Sequence, residues 1–334
     1  MSKVFQEFSP ELQSWFVESG SLDKAQALAA QEKIAKAIAE PLRDAVLSGN
    51  IANLIFTPDK WADNAYIEYQ LSLIGPGQEG DFTAFVNPQN GYIPHKFVSA
   101  DRIAVPTFSI ANSIDCTLKA ARAANYNFVK RMLQVMVAGF VKKNNDDAFH
   151  TLISAALDRN ILVFDGDANA GQFTRRLYSL LKINMKRNGG GNSASMNKSK
   201  LTDILVSPET IEDMRNWSLA EVSDDIRTRF FLSEGSDGVT RIGDTLLHEV
   251  EELGAGQEYQ LYFEAQGGTM GGSDTEIIIG LDLSTDDSFF NPVKGDMTVY
   301  PDEHRHRHQQ ISYYGWMEHG WAILDNRRVI LASY

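Results

Sequence analysis

Two hydrophobic periods divide this chain. Leu22, Ala25, Leu28, Ala29, Ile34, Ile38, Leu42 and Val46 recur at three- and four-residue steps, which predicts an amphipathic helix over residues 22–47. Ser21 is placed to cap its start, Gly49 and Asn50 follow its end, and Pro41 inside it predicts a kink or break. From Tyr66 to Leu73 the period falls to two, with Ile67, Tyr69, Leu71 and Leu73 on one side. A turn-rich stretch follows at residues 75–81, then Phe82, Ala84 and Val86, and a second turn at Asn90-Gly91. Residues 61–105 therefore read as a long β-hairpin or meander. A lone two-stranded ribbon is marginal in water, so this one needs a surface on its own domain or on a neighbour.

Residues 116–142 carry the strongest helical pattern, with Leu118, Ala121, Ala124, Phe128, Met132, Val135 and Gly139 on one stripe. Further helices are expected over 146–157 and 171–186. A flexible Asn188-Gly-Gly-Gly-Asn-Ser-Ala-Ser loop comes next, then a strand over 201–206. Ser207 then reads as an N-cap, Pro208 as the first helical residue, and Thr210 to Trp217 as the helix body. Beyond Trp217 short strands and glycine turns take over. Residues 277–283 form the clearest buried strand, and residues 298–300, 305–314 and 316–331 are strand-like.

Charge changes this picture more than composition does. The net charge is −13, which argues against a free nucleic-acid binder drawn by overall attraction. Yet residues 116–200 hold 14 Lys and Arg against 5 Asp and Glu, a balance of +9. The remainder holds 17 against 39, or −22. A basic middle in an acidic chain fits an internal ion-pair pattern, a self-association surface, or a face turned to a polyanion. The single cysteine, Cys116, cannot form an internal disulfide and reads as a small buried side chain. The N-terminus lacks a secretory pattern, and no run approaches ~18 apolar residues, so no membrane partner and a cytoplasmic site of synthesis are expected.

Catalytic signatures are missing: there is no GxxxxGK[ST], GxSxG, HExxH or CxxC. His304, His306 and His308 stand out instead. On a strand they would share one face, a geometry suited to metal ligands, although Arg305 and Arg307 oppose a cation. A metal-dependent enzyme using that row is the alternative function, and a β-rich binding module is a third. The primary reading has no catalytic, cofactor or metal residues and is not an enzyme.

Three elements suit a subunit of an extended assembly better than a monomer: an N-terminal amphipathic arm, a long hairpin and a long basic helix. Their order resembles the tailed-phage major capsid family with the Hong Kong 97 fold. The resemblance rests on Glu40-Pro-Leu-Arg-Asp-Ala-Val-Leu-Ser-Gly-Asn-Ile-Ala-Asn-Leu-Ile-Phe-Thr-Pro, Asn90-Gly-Tyr-Ile-Pro and Val105-Pro-Thr-Phe-Ser-Ile-Ala-Asn-Ser-Ile-Asp. Asp203-Ile-Leu-Val-Ser-Pro-Glu-Thr-Ile-Glu-Asp-Met-Arg-Asn-Trp and Tyr313-Tyr-Gly-Trp-Met-Glu-His-Gly-Trp-Ala-Ile-Leu-Asp-Asn-Arg-Arg-Val continue it. Together they cover most of residues 38–331.

The resemblance implies an α+β architecture. Residues 1–58 would be the N-terminal arm and 61–105 the extended β-hairpin loop. Residues 106–215 with 296–322 would be the peripheral domain with its long spine helix, and 216–295 with 323–334 the axial domain. It implies a major capsid protein of a virion that self-assembles into hexamers and pentamers forming an icosahedral shell. Partners would be other copies, a portal, scaffold or decoration proteins, and packaged double-stranded DNA held without sequence specificity. Inter-subunit contacts are expected at Tyr66, Tyr69, Phe82, Phe85 and Tyr92, and the basic spine at Lys119, Arg122, Lys130, Arg131 and Lys142. Some family members cross-link through a loop lysine. Residues 61–95 contain no Lys, so arm and loop are expected to interlock without a covalent bond.

Overall fold

The computed structural model describes residues 10–21, 23–48, 51–70, 102–119, 126–159, 161–166, 171–188, 199–217, 239–272 and 274–334. Contacts divide the chain into two compact units. The first comprises residues 1–67, 104–148 and 290–322, and the second 68–103, 149–289 and 323–334.

The first unit is a sheet with helices on one face. It opens with α1 (Pro10–Ser19), α2 (Lys24–Ser48), α3 (Ala52–Ile55) and β1 (Thr57–Lys60). Asp23, not Ser21, caps α2: its Oδ1 accepts the Ala25 N–H at 3.0 Å, while the Ser21 hydroxyl accepts the Asp23 N–H at 3.2 Å. The helix also runs unbroken through Pro41. Proline removes one i→i−4 hydrogen bond there. The fully buried row Ile34, Ile38, Leu42 and Val46 holds both halves against the same core and outweighs that loss.

β4 (Phe108–Thr117) corrects the largest sequence expectation. Cys116, predicted to start a helix, lies in a strand that pairs antiparallel over ten residues with β11 (Gln310–His319). Leu118 and Lys119 just beyond β4 are helical, as expected, and helix α4 (Tyr126–Asp158) absorbs the separate helix expected over 146–157. At ~1.5 Å per residue it is roughly 50 Å long. The buried side of α4 in this unit is Met132, Met136, Phe140 and Asn144, whereas Val135, placed on the apolar stripe from sequence, is 57% exposed. The sheet runs β1-β10-β11-β4, with β10 (Phe289–Pro301) parallel to β1 and antiparallel to β11, and the short β12 (Ala322–Ile323) also pairs with β10. Ile110, Cys116, Met297, Val299, Ile311 and Tyr313 form its inner face against α2 and α4. Gly315 lets α4 approach closely: a Cβ there would stand 2.7 Å from the Met136 methyl.

The second unit centres on a six-stranded sheet in the order β5-β13-β9-β6-β8-β7. Its strands are β5 (Leu162–Val163), β6 (Asp203–Val206), β7 (Val239–Ile242), β8 (Thr245–Glu249), β9 (Ile277–Leu281) and β13 (Val329–Ser333). Helix α5 (Arg175–Asn188) seals one face: Leu177, Leu181 and Met185 pack with Ile204, Val206, Leu247, Ile278, Ile330 and Ala332. Helix α6 (Pro208–Arg215) starts as expected, with Pro208 at its first turn and the Ser207 side chain accepting the Thr210 N–H. Helix α7 (Glu258–Ala265) stacks Tyr259 on Phe149 of α4, ring centroids 4.4 Å apart. The strands β2 (Glu68–Gln70) and β3 (Arg102–Ala104) pair as a two-stranded stem, with the predicted hairpin's residues 71–101 outside the described set. No described helix is long and apolar enough to cross a membrane.

The inner register of α4 predicts a contrast. Phe140→Ala should cost about 3–5 kcal/mol, while Val135→Ala should stay within about 0.5 kcal/mol. Chemical denaturation of the two variants checks this, and equal losses would contradict the register.

Candidate assembly surfaces

Strand β11 alternates as a strand must, yet both of its faces carry large apolar side chains. Ile311, Tyr313 and Gly315 point inward, while Tyr314 and Trp316 point outward at 40% and 46% exposure. Tyr300 of β10 stands directly across from Tyr314 in register, 45% exposed, with ring centroids 5.8 Å apart. On the β4 side the partners are small, Ser113 opposite Tyr314 and Ala111 opposite Trp316, so no long neighbour covers the rings. Three adjacent exposed aromatic rings on one sheet face make a candidate interaction surface. The sequence reading did not name them. The available signal was the Ser-Tyr-Tyr-Gly-Trp-Met run, apolar in both phases of the strand period.

The predicted contact residues separate. Tyr66 is 73% exposed, and Tyr69 is buried at 9%, so only the first presents itself to a partner. Phe82, Phe85 and Tyr92 lie outside the described residues. At the stem, Arg102 pairs with Glu68 at 3.2 Å and Ile103 is exposed.

Of the basic residues singled out, Lys119, Arg131 and Lys142 are exposed. Arg122 and the side chain of Lys130 lie outside the described set. Lys143 is bound to Asp147 at 2.7 Å within α4.

The histidine row does not have the geometry expected of it. Arg305–His308 form a 3-10 helix in the β10–β11 connection, so the alternation that would align His304, His306 and His308 on a strand is absent. Arg305 is engaged by Asp302 and Asp115 at 3.8 and 3.7 Å. Among the described residues no three His, Cys, Asp or Glu side chains are placed to hold a metal ion. The strand reading failed because Pro301-Asp302 ends β10 and the Asp302 side chain accepts the His304 N–H, closing a turn.

The remaining titratable groups of note are structural. Burial pushes the Cys116 thiol up to about 11, too high for a ready thiolate at neutral pH. Ser207, Thr210 and Tyr334 surround the buried Glu276 carboxylate, which accepts from the Ser207 and Tyr334 hydroxyls, both at 2.7 Å. His319 is the exception. Only 1% exposed, it lies edge-on to Phe108 and Trp321 at 5.3 and 5.4 Å, and neither ring nitrogen has a hydrogen-bond partner. Burial pulls its pKa down to about 4; Asp147 opposes the shift and Lys143 adds to it.

The sign follows from linkage. The unfolded imidazole protonates near 6.5 and the folded one near 4, so the unfolded state binds more protons between those values. The stability associated with neutral His319 is complete above pH 6.5 and is lost as pH falls toward 4, in total about 3 kcal/mol. Unfolding free energies measured from pH 7 to 4 should show His319→Phe losing less stability than the wild type by about that amount. Parallel pH curves would contradict this.

No family model matches the chain, and no curated protein matches it. Solved structures do. A chain of Microbacterium phage Oxtober96 matches with a TM-score of 0.58 at 10% identity, covering 85% of this chain and 90% of that one. A chain of the bacteriophage PhiM1 mature capsid matches with a TM-score of 0.53 at 10% identity, covering 85% and 86%. A chain of the capsid of a native GTA particle matches with a TM-score of 0.52 at 12% identity, covering 87% and 90%. At such identities the likeness establishes the fold. The chain has the Hong Kong 97-type capsid fold.

Proposed function

We propose, from the Hong Kong 97-type fold and the open aromatic face of the first unit, that this protein is a major capsid protein that builds a closed icosahedral shell from its own copies. The observation that carries the reading is the Tyr300, Tyr314 and Trp316 surface, apolar area that one copy leaves in water. A stable protein contact buries roughly 1,200–2,000 Å², and a subunit tied in through several contacts gains from each. The aromatic face, the exposed Tyr66 and the segment beyond the stem are candidates for such contacts. In this reading Phe82, Phe85 and Tyr92 in the extended loop cover a neighbour's sheet. Residues 1–58 act as the arm, and residues 216–295 with 323–334 line the capsomer centre.

Hexamers and pentamers would form the shell, with a portal at one vertex and scaffold or decoration proteins as further partners. Double-stranded DNA would be packaged inside without base readout, and synthesis would take place in a host cytoplasm before incorporation into a virion. The absence of Lys from residues 61–95 favours non-covalent interlocking. The basic residues Lys119, Arg122, Lys130, Arg131 and Lys142 would face acidic surfaces of adjacent copies, or the packaged DNA. The role is structural, and among the described residues no cluster favours the metal-enzyme alternative.

Purified protein examined by negative-stain electron microscopy and sedimentation should show rings, tubes or shells. A particle-free, strictly monomeric protein at every concentration would contradict the reading. Deleting residues 75–91 should leave a folded subunit unable to close shells, and intact shells from that deletion would remove the loop's role. Reversing charge at Lys130 and Arg131 should weaken assembly or DNA retention. A variant unchanged in both would exclude a role for these two cations.

A further inference from the structure

Charge in the second unit is sorted by element. From Ile242 to Phe289 the sequence has no Lys or Arg and 11 Asp and Glu. Several of those acids are satisfied within the unit. Asp244 binds Lys182 and Lys200, Asp282 and Asp287 bind Arg328, and Glu276 sits in the buried hydroxyl network. Glu249 at the end of β8, and Glu251 and Glu252 on the turn after it, are exposed and have no ion pair among the described residues. The turn is anchored from below by the buried Val250 and Leu253.

Helix α5 is the opposite case. Its inner side is committed to the sheet, and two of its cations are committed too, Lys182 to Asp244 and Arg176 to Asp165. Its outward side presents Ile183, 45% exposed, and then Lys186 and Arg187 in the last turn. Neither of these two cations has an ion pair among the described residues, and residues 189–198 that follow contain no Asp or Glu. Within one copy, no ion pair among the described residues joins this face to the Glu249–Glu252 turn. None of the turn's buried anchors belongs to the core cluster beneath α5.

We infer that in the assembly the outward face of α5, through Ile183, Lys186 and Arg187, docks on the Glu249–Glu252 turn of a second copy. The inference rests on the self-assembly reading and names a contact within it. Two different complementary patches on one chain make a head-to-tail interface, the kind that closes into rings when the rotation per copy permits. Each exposed ion pair adds little by itself. The pairs set orientation and encounter rate, and desolvation of Ile183 supplies the apolar part. A polyanion is a poorer occupant, because phosphates would leave Ile183 wet and the surrounding unit is strongly acidic.

Charge swapping tests this on the full chain, with circular dichroism confirming that each variant folds. Lys186→Glu with Arg187→Glu, and separately Glu251→Lys with Glu252→Lys, should each raise the concentration needed for ring or shell formation by at least ~10-fold at low ionic strength. Combining all four changes should restore assembly toward the wild type. The neutral pair Lys186→Gln with Arg187→Gln should fall between and keeps the test open if the reversed helix terminus fails to fold. Reversed variants that assemble like the wild type would overturn the α5 contact and leave self-assembly standing. An α5 variant that assembles normally but retains less nucleic acid would assign the face to DNA and overturn the contact as well. A wild type that stays monomeric throughout would overturn both the contact and the reading beneath it.

Discussion

The two-faced burial demand of β11 is the constraint on which the rest depends. A strand places alternate side chains on opposite faces, so one with large aromatic side chains in both phases gains from two covers. One cover is internal: α2 and α4 close over Ile311 and Tyr313, with Gly315 admitting Met136 at close range. The other face, Tyr314, Trp316 and the cross-strand Tyr300, stays open in a single copy. Burying three such rings is worth several kcal/mol, and in the proposed shell that burial would favour association.

Each unit meets its internal demands separately. In the first, the core behind the sheet encloses neutral His319 without hydrogen-bond partners, which ties stability of that region to pH. In the second, α5 and the interior strands form a core whose buried charges have partners. Glu276 accepts from Ser207 and Tyr334, and Arg328 is held by Asp282. With interior charges paired, the uncompensated charges lie outside, cations on α5 and acids on the turn after β8. Surface charge of that kind governs which face meets which more than how tightly they hold.

Much of this was legible in the sequence where the determinants are local. Ser207 and Pro208 define a helix start through contacts within three residues, and they do so in the structure. The order of arm, loop, helix and late strands carried the resemblance to the Hong Kong 97 fold, which the solved structures bear out. Where the determinant is distant, local pattern failed. Cys116 lies in a strand because ten residues of β11 pair with β4, a partner about two hundred positions away. Val135 and Met136 compete for the same helical stripe, and only the position of the sheet decides that Met136 is buried. The histidine row was misread because its alternation was taken for a strand while the Asp302 turn made a 3-10 helix. The aromatic face was missed because an outward Tyr or Trp is ordinary singly; its meaning comes from the β10–β11 register that gathers three.

The most direct measurement is an electron cryomicroscopy reconstruction of the assembled particle at side-chain resolution. The account predicts a closed shell in which Tyr300, Tyr314 and Trp316 of every copy are covered by another copy. A particle whose aromatic face remains open to solvent on every subunit would contradict it.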